Sequence, residues 1–395
     1  MKTPAVGLFS LLLILFFCLP VQAETGVRKD KIVMGTHMAL TGPAAFAGKG
    51  LLEGMKVYFS YINDQGGING RKIELIAEDD GYRPARAVAA AKKLMDRDKV
   101  FGFIGPLGGA IVKVVIPIME ENKVPYLWPS AATLAIVHPT KRYTFGYYTQ
   151  YDRIFIVLTD QAVKSFKAKK ISVFYPDQAV GHNIRDTVIM RLKKYNMKVV
   201  EKIAVKHTDV DFSGVVAKLK ASGTDTVMIA THIPPTVAFL KECRRQNYNP
   251  VCLQDPSGTD PMMFGLAKDP AITNGLIGAN YNLPIDSDAP VVKRWRAHMA
   301  KYSKARPSNY ALITYNSAWM FCDAIKALGN DITRERLINH LNSWKNYDNG
   351  LSGPISYSPT DHEGAERFFV VRANNNKWER VFDKRVGLDK KLIRD

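Results

Sequence analysis

Apolar and polar positions along residues 31–80 follow two periods, and the switch between them defines the first structural unit. An extended apolar run from Ile32 to Met34 gives way to Thr41-Gly42-Pro43. A helical stripe follows, Leu51, Leu52, Met55, Tyr58, Phe59 and Ile62, whose steps of three and four share one face of a 3.6-residue repeat. Asn63-Asp64-Gln65-Gly66-Gly67 stops that helix, since glycine accepts the left-handed conformation that a helix end usually needs. Ile73 to Ala77 then return to an extended pattern, and the unit reads β-α-β.

The same alternation runs on. Apolar stretches near 71–79, 100–105, 125–128, 171–175, 198–205, 225–230 and 250–254 predict strands. Periodic segments near 84–97, 110–122, 153–166, 182–196, 212–222 and 235–246 predict helices between them. Pro84 suits a first helical turn, and Asp211-Phe212-Ser213 ahead of Val215, Val216 and Leu219 is a helix-start signal. Strands separated by helices imply an α/β protein with parallel, doubly wound sheets. No internal repeat or low-complexity stretch interrupts the pattern.

The amino end follows another logic. Lys2 precedes an apolar core from Leu8 to Leu19, then Pro20 and Val21-Gln22-Ala23, with small residues where signal peptidase reads. The mature chain is expected to begin at Glu24. An uncleaved anchor is the rival reading, but the run falls short of the ~20 residues that a spanning helix needs. A lipidated Cys18 is disfavoured because Phe16-Phe17-Cys18-Leu19 lacks small residues before the cysteine. The expectation is a freely soluble periplasmic protein. Taking the 23-residue leader from 395 leaves 372 residues, enough for two domains.

Losing Lys2 reduces 55 basic residues to 54 against 37 acidic, so the formal charge falls from +18 to +17. Such a balance could attract anionic ligands or an anionic membrane surface. The basic clusters Lys167-Ala168-Lys169-Lys170, Arg191-Leu192-Lys193-Lys194 and Lys390-Lys391 sit at expected helix ends or at the terminus, where they read as solvated faces. Groove-reading motifs are absent, and nucleic acid is not an expected partner. Cys243, Cys252 and Cys322 remain after cleavage; an odd number cannot complete a disulfide framework, so a Cys243–Cys252 bridge stays open and Cys322 reads as a core thiol.

Motifs for catalysis fail on inspection. Gly42 to Gly50 imitates a phosphate loop, but five residues separate its glycines and Gly50 replaces the magnesium-binding hydroxyl. Asp209-Val210-Asp211-Phe212-Ser213-Gly214 opens like a calcium loop, yet Lys220 stands where a bidentate carboxylate should close the shell. No His-Glu-x-x-His, Cys-x-x-Cys or Gly-x-Ser-x-Gly occurs, so neither a metal, a cofactor nor an enzymatic activity is expected.

One resemblance orders these observations. The stretch reading TGP…G…G…INxxGGINGRKIEL…DD resembles the branched-chain-amino-acid type of periplasmic solute-binding protein. It continues through Gly105-Pro106, Pro129-Ser130-Ala131-Ala132-Thr133, Asp211-Phe212-Ser213 and Gly353-Pro354-Ile355, covering nearly all of the mature chain. The resemblance implies the type I binding-protein fold: two doubly wound parallel-sheet lobes joined by a three-strand hinge, placed near 147–151, 278–282 and 354–357. Lobe one would combine 24–148 with 280–354, and lobe two 149–279 with 355–395.

In open α/β sheets ligands meet the carboxyl ends of strands, where helix starts favour carboxylates. Candidate loops are therefore 41–48, 79–82, 106–110 and 129–133 in lobe one, and 177–181, 231–234 and 255–259 in lobe two. The resemblance aligns Gly108, Gly109, Ser130, Ala131 and Ala132 with segments that cradle a ligand carboxylate. Gly109 falls where amino-acid binders carry serine, and Ala132 where they carry threonine, with Thr133 one place later. His232 and Val180 stand where the family often presents tyrosine. The carboxylate that should hold a ligand ammonium has no clear match in Gln254-Asp255-Pro256-Ser257, with Asp255 a substitute in uncertain register. Because an unpaired buried ammonium costs several kcal/mol, a cargo without an amine is the first expectation. Phe46, Tyr82, Tyr151 and Trp128 are aromatic candidates for the pocket wall, Trp128 reading chiefly as core.

The resulting expectation is a periplasmic receptor of an ABC importer, monomeric, closing over a small organic solute and delivering it to a membrane permease. A carboxylate, aromatic or aliphatic, comes first, and an amino acid or amide second. A ligand-sensing subunit of a signalling system and a secreted hydrolase are the rival classes.

Overall fold

The computed structural model describes residues 24–42, 44–206, 209–365, 367–382 and 386–387. The leader with Cys18, Pro43 of the first loop, and the Lys390-Lys391 cluster lie outside the described residues. Strands β1 (Lys31–Met38), β2 (Lys72–Asp79), β3 (Gly102–Ile104), β4 (Tyr126–Leu127) and β5 (Thr144–Phe145) form a parallel sheet in the order β2-β1-β3-β4-β5. Helices α1 (Ala45–Asp64), α2 (Pro84–Asp96), α3 (Gly109–Glu121) and the short α4 (Leu134–Val137) connect them. Every residue of β1 after Lys31 is buried, as a parallel strand covered on both faces requires.

The chain then enters a second sheet through α5 (Tyr151–Lys164), β6 (Ile171–Pro176), α6 (Ala179–Lys193), β7 (Lys202–Val205), α7 (Ser213–Ala221), β8 (Thr226–Ile229), α8 (Ile233–Arg245) and β9 (Val251–Gln254). A 3-10 turn (Pro256–Gly258), α9 (Met262–Ala267) and α10 (Pro270–Thr273) lead to β10 (Ile277–Asn280). After β10 the chain returns to the first sheet as α11 (Pro290–Tyr302), α12 (Asn309–Ala327) and α13 (Arg334–Asn342). The hairpin β11 (Ile355–Ser358) and β12 (Asp361–Ala365) follows, then β13 (Arg367–Asn374), β14 (Lys377–Arg380) and β15 (Val386–Gly387). Among the described residues the second sheet runs β14-β13-β10-β9-β8-β6-β7, parallel from β10 to β7 and antiparallel where β13, β14 and β15 join.

The fold is α/β with two doubly wound lobes. The α1 stripe read from the sequence is its buried face, with Leu51, Met55, Tyr58 and Phe59 each at most 5% exposed and Ile62 partly buried. That face packs along α12 so closely that a Cβ on Gly54 would stand 2.0 Å from the Ala311 carbonyl oxygen. The Thr314 hydroxyl fills the same seam by donating to the Leu51 carbonyl at 2.5 Å.

We propose the lobe division expected above with one amendment. The β11–β12 hairpin packs on α13, β5 and α4, all elements of lobe one. The third connection is therefore placed between Ala365 and Arg367 rather than at 354–357. Gly353-Pro354 marks a reversal inside lobe one, and three successive short extended runs do not reveal which of them changes sheet.

The three connections meet at Tyr147. Its backbone oxygen accepts from the Ala365 N–H at 3.1 Å, and its hydroxyl donates to Asn282 Oδ1 at 2.5 Å and accepts from Asn316 Nδ2 at 2.7 Å. Thr149 Oγ1 donates to the carbonyls of Ala365 and Arg367, both at 3.2 Å. Arg153 at the start of α5 pairs with Glu363 of β12 at 2.6 Å, both side chains under 8% exposed. Such a pair resists separation because breaking it leaves a buried charge uncompensated.

Candidate ligand-binding cleft

The loops at the carboxyl ends of the lobe-one strands are tied to one another. Asp79, the last residue of β2, accepts from the N–H groups of Leu40, Thr41 and Gly81 at 2.9, 3.2 and 2.9 Å and from Thr41 Oγ1 at 2.6 Å. These bonds, the Thr41 hydroxyl first, hold its carboxyl well below the usual carboxylate range. Asp80 beside it is fully buried, contacts His37 Nδ1 at 3.0 Å, and accepts the Tyr82 N–H at 2.8 Å. His37 Nε2 in turn meets the Tyr126 hydroxyl at 2.9 Å.

Tyr82 is thereby laid over the start of α3. A Cβ on Gly108 would meet Tyr82 Cε2 at 2.5 Å, and Gly108 has a φ of +103°, so both space and conformation demand glycine. Gly109, by contrast, is open, and Thr133 lies 3.5 Å from where its Cβ would stand. The threonine displaced by one place in the sequence thus approaches the vacant serine position. Ser130 donates to the Gly105 carbonyl at 3.3 Å and shares a 3.0 Å hydrogen bond with the Tyr148 hydroxyl. The Gly108 N–H is engaged by the Ser130 carbonyl at 3.2 Å and the Ala131 N–H by the Pro129 carbonyl at 2.8 Å. The first amides of α3 are the donors that no helical carbonyl can satisfy. Ala132 is buried, and its carbonyl accepts the Tyr151 N–H at 3.4 Å.

On lobe two, Asp255 ends β9 with 3% exposure. Its Oδ1 accepts from Gln254 Nε2 and from Ser257 Oγ at 3.0 Å, and Oδ2 accepts from Ser257 Oγ at 2.9 Å. Among the described residues no lysine, arginine or histidine reaches it within ion-pair distance. Burial pushes its carboxyl up to about 7, against those hydrogen bonds. Gln254, fully buried, also donates to the Thr231 carbonyl at 2.8 Å and accepts from Thr236 Oγ1 at 3.0 Å, so the His232 loop is coupled to Asp255. His232 itself is half-buried at the start of α8, on the same sheet edge.

Tyrosines from separate segments surround that carboxylate. Tyr151 opens α5, and its hydroxyl is raised well above the ordinary value first by burial, then by the charge of Asp255. Tyr281 follows β10 and is shifted the same way, by burial first and then by Tyr151 and Asp255. Its enclosed hydroxyl interacts with that of Tyr151 but outside ordinary hydrogen-bond geometry. Tyr148 and Tyr281 rings lie 4.8 Å apart at 60°. Tyr310, at the start of α12, donates from its hydroxyl to the Ser257 carbonyl at 3.4 Å and meets Phe46 edge-on at 5.7 Å. Phe46 and Tyr82 are 37% and 43% exposed, the values expected of side chains at a cleft mouth.

Asp260 closes one side of the gap, accepting the Asn309 N–H at 2.7 Å while Asn309 Nδ2 donates to the Thr259 carbonyl at 2.6 Å. Among the sequence candidates, Tyr82 and Asp255 both neighbour Tyr151 and Tyr310, Gly108 lies under Tyr82, Ser130 joins through Tyr148 and Ala132 through the Tyr151 N–H, with Gly109 and Ala131 beside them in sequence; Phe46 joins through Tyr310, and the His232 loop through the Thr231–Gln254 link. Trp128 is fully buried and donates its indole N–H to the Tyr357 hydroxyl at 2.9 Å, a core role. Tyr148, Tyr281, Tyr310 and Gln254 were not among the sequence candidates. Tyr148 and Tyr281 lie in the expected hinge segments, a signal that was available; Tyr310 had none, since α12 returns from far along the chain.

A separate groove of about 440 Å³ lies at the amino ends of β9 and β10, lined by residues that include Arg244, Cys243, Cys252 and Arg372. It faces away from the cleft. Cys243, Cys252 and Cys322 are all buried and unbridged, and burial pushes the Cys252 thiol up to about 12. Among the described residues no group of histidine, cysteine and carboxylate side chains could hold a metal ion. Among them too, no helix is long and apolar enough to cross a membrane.

The sequence profile of a family described as periplasmic binding protein matches residues 31–377. The chain belongs to that family. Its members are solute receptors rather than enzymes, and periplasmic. An amino acid binding protein of Pseudomonas aeruginosa is 26% identical over 301 residues, 75% of this chain and 79% of that protein. A Leu/Ile/Val-binding protein homolog 7 of Brucella abortus is 23% identical over 322 residues, 77% of this chain and 79% of that one. Among solved structures, the fatty acid ABC transporter substrate-binding protein of Thermomonospora curvata superposes with a TM-score of 0.82 at 24% identity, covering 92% of this chain and 94% of its own. A branched-chain amino acid ABC transporter protein of Thermus thermophilus with bound valine gives 0.82 at 18% identity, covering 91% and 97%. These similarities place the two-lobed fold beyond the family match alone.

Proposed function

We propose that this protein is the periplasmic receptor of an ABC importer, closing its lobes over a small organic solute that carries a cationic nitrogen and handing it to a membrane permease. The observation that carries the cation is Asp255: a carboxylate buried in the cleft with no basic side chain beside it is the partner that a ligand ammonium needs. Ser130, Thr133 and the first amides of α3 lie at the carboxyl ends of the lobe-one strands and suit a carboxylate. The relatives named for amino acids are consistent with a zwitterion. We favour a cationic solute over the amine-free cargo expected first from the sequence, because the buried Asp255 suits an ammonium. We further propose export with cleavage after Ala23 and action as a monomer.

The reading is tested by thermal-shift and calorimetric titration of purified mature protein with amino acids and with the corresponding amine-free acids. Amine-bearing members should bind, and Asp255→Asn should weaken them about a hundredfold, the order expected when one half of a buried charge pair is removed. Equal binding of the amine-free acids, unaffected by Asp255→Asn, would remove the cationic assignment.

A further inference from the structure

Five tyrosines from four separate stretches of chain gather beside Asp255: Tyr151, Tyr281 and Tyr310 lie within reach of its charge, Tyr82 neighbours Tyr151 and Tyr310, and Tyr148 packs on Tyr281. A site built for a primary ammonium directs acceptors at its three N–H groups. Here both Asp255 oxygens are already occupied by Gln254 and Ser257, which leaves the carboxylate few open directions and mainly its charge. The Tyr148 and Tyr310 hydroxyls are anchored on the protein, one on Ser130 and one on the Ser257 carbonyl, and those anchors hold their rings in place. The Tyr148 and Tyr281 rings pack on each other, centroids 4.8 Å apart and tilted by 60°, as one wall, and Tyr82 is fixed over Gly108 by its own backbone bond to Asp80. Ring faces around a counter-charge attract a cation that is large, weakly hydrated and without N–H groups.

We propose that the cleft is an aromatic cage selective for an N-alkylated, ideally quaternary, ammonium, with Asp255 as its counter-ion. This deepens the cationic-solute reading and rests on it. The cage spans both lobes, Tyr82 and Tyr310 from one, Tyr151 and Asp255 from the other, and Tyr148 and Tyr281 from the connections. A bulky cation would therefore fill the space only when the lobes are together, which links recognition to closure.

Calorimetry on the purified, dialysed mature protein tests this with two series at constant ionic strength: ammonium, methylammonium and tetramethylammonium chlorides, and glycine, trimethylglycine and its carbon isostere 3,3-dimethylbutanoate, whose head group is uncharged. Affinity should rise with methylation, by about tenfold or more between the ends of each series. Tyr151→Leu and Tyr281→Leu should each weaken trimethylglycine about tenfold while Tyr151→Phe keeps most of the affinity, with thermal denaturation reporting that each variant is folded. Glycine binding as tightly as trimethylglycine, or Tyr151→Phe losing as much as Tyr151→Leu, overturns the cage while leaving a cationic solute intact. The carbon isostere binding as well as trimethylglycine, or no binding anywhere in either series, overturns both.

Discussion

Asp255 shows how one side chain can be visible in a sequence while its role is not. The sequence offered it as a substitute in uncertain register, because no local spacing reports whether a loop carboxylate is buried or paired. Its environment supplies both facts, and a pH dependence follows. The carboxyl sits at about 7 in the folded cleft against an ordinary value of 3.8. The folded chain thus binds the extra proton between those values, and ligand-free stability should fall as pH rises from about 4 to about 7, then level off. Asp255→Asn should abolish that slope and stabilise the empty protein above pH 7 by about 2–4 kcal/mol, measured by urea denaturation across pH. Cation affinity should run the other way, weakening about tenfold per unit below pH 7 as the carboxylate protonates. A flat stability profile in the native protein would contradict the buried, unpaired state.

At the level of elements, the sequence was legible where periodicity is local. The α1 stripe, the strands β2, β6, β8 and β9 and the alternation between them follow from spacing alone, because burial on one face or two leaves a repeat in the chain. What spacing does not contain is which helix covers α1. Gly54 is an ordinary glycine in the sequence, yet in the fold it allows α12 to approach until the Ala311 carbonyl occupies its side-chain space. Gly54→Val should force the two helices apart and cost about 3 kcal/mol, read as a lowered melting temperature with the fold retained. A substitution without effect would mean that the seam is looser than its geometry. Tyr147 and Asn282, which bond each other, lie in two of the expected hinge segments. For the third we propose a later crossing, because the β11–β12 hairpin packs on elements of the proposed lobe one.

For the whole molecule, two sheets whose strand ends face each other make a cleft that neither lobe could form by itself. In the proposed site, lobe one contributes the α3 amides, Ser130 and the aromatic mouth; lobe two contributes Asp255; the connections contribute Tyr148 and Tyr281. Tyr147, itself in the first connection, bonds the third through its backbone and the second through Asn282, with Asn316 of α12 as a further anchor, so closure can be a rotation about a fixed centre. The half of the site carried by α12 escaped sequence reading because Asn309 and Tyr310 join it through chain topology, not through neighbouring residues. Native mass spectrometry of freshly purified mature protein, with the released solute identified by exact mass, tests the central claim most directly. A single small organic molecule bearing a cationic nitrogen, released unchanged and absent from Asp255→Asn, is the predicted result; a co-purifying solute without such a nitrogen, or one converted to a product on standing, would contradict it.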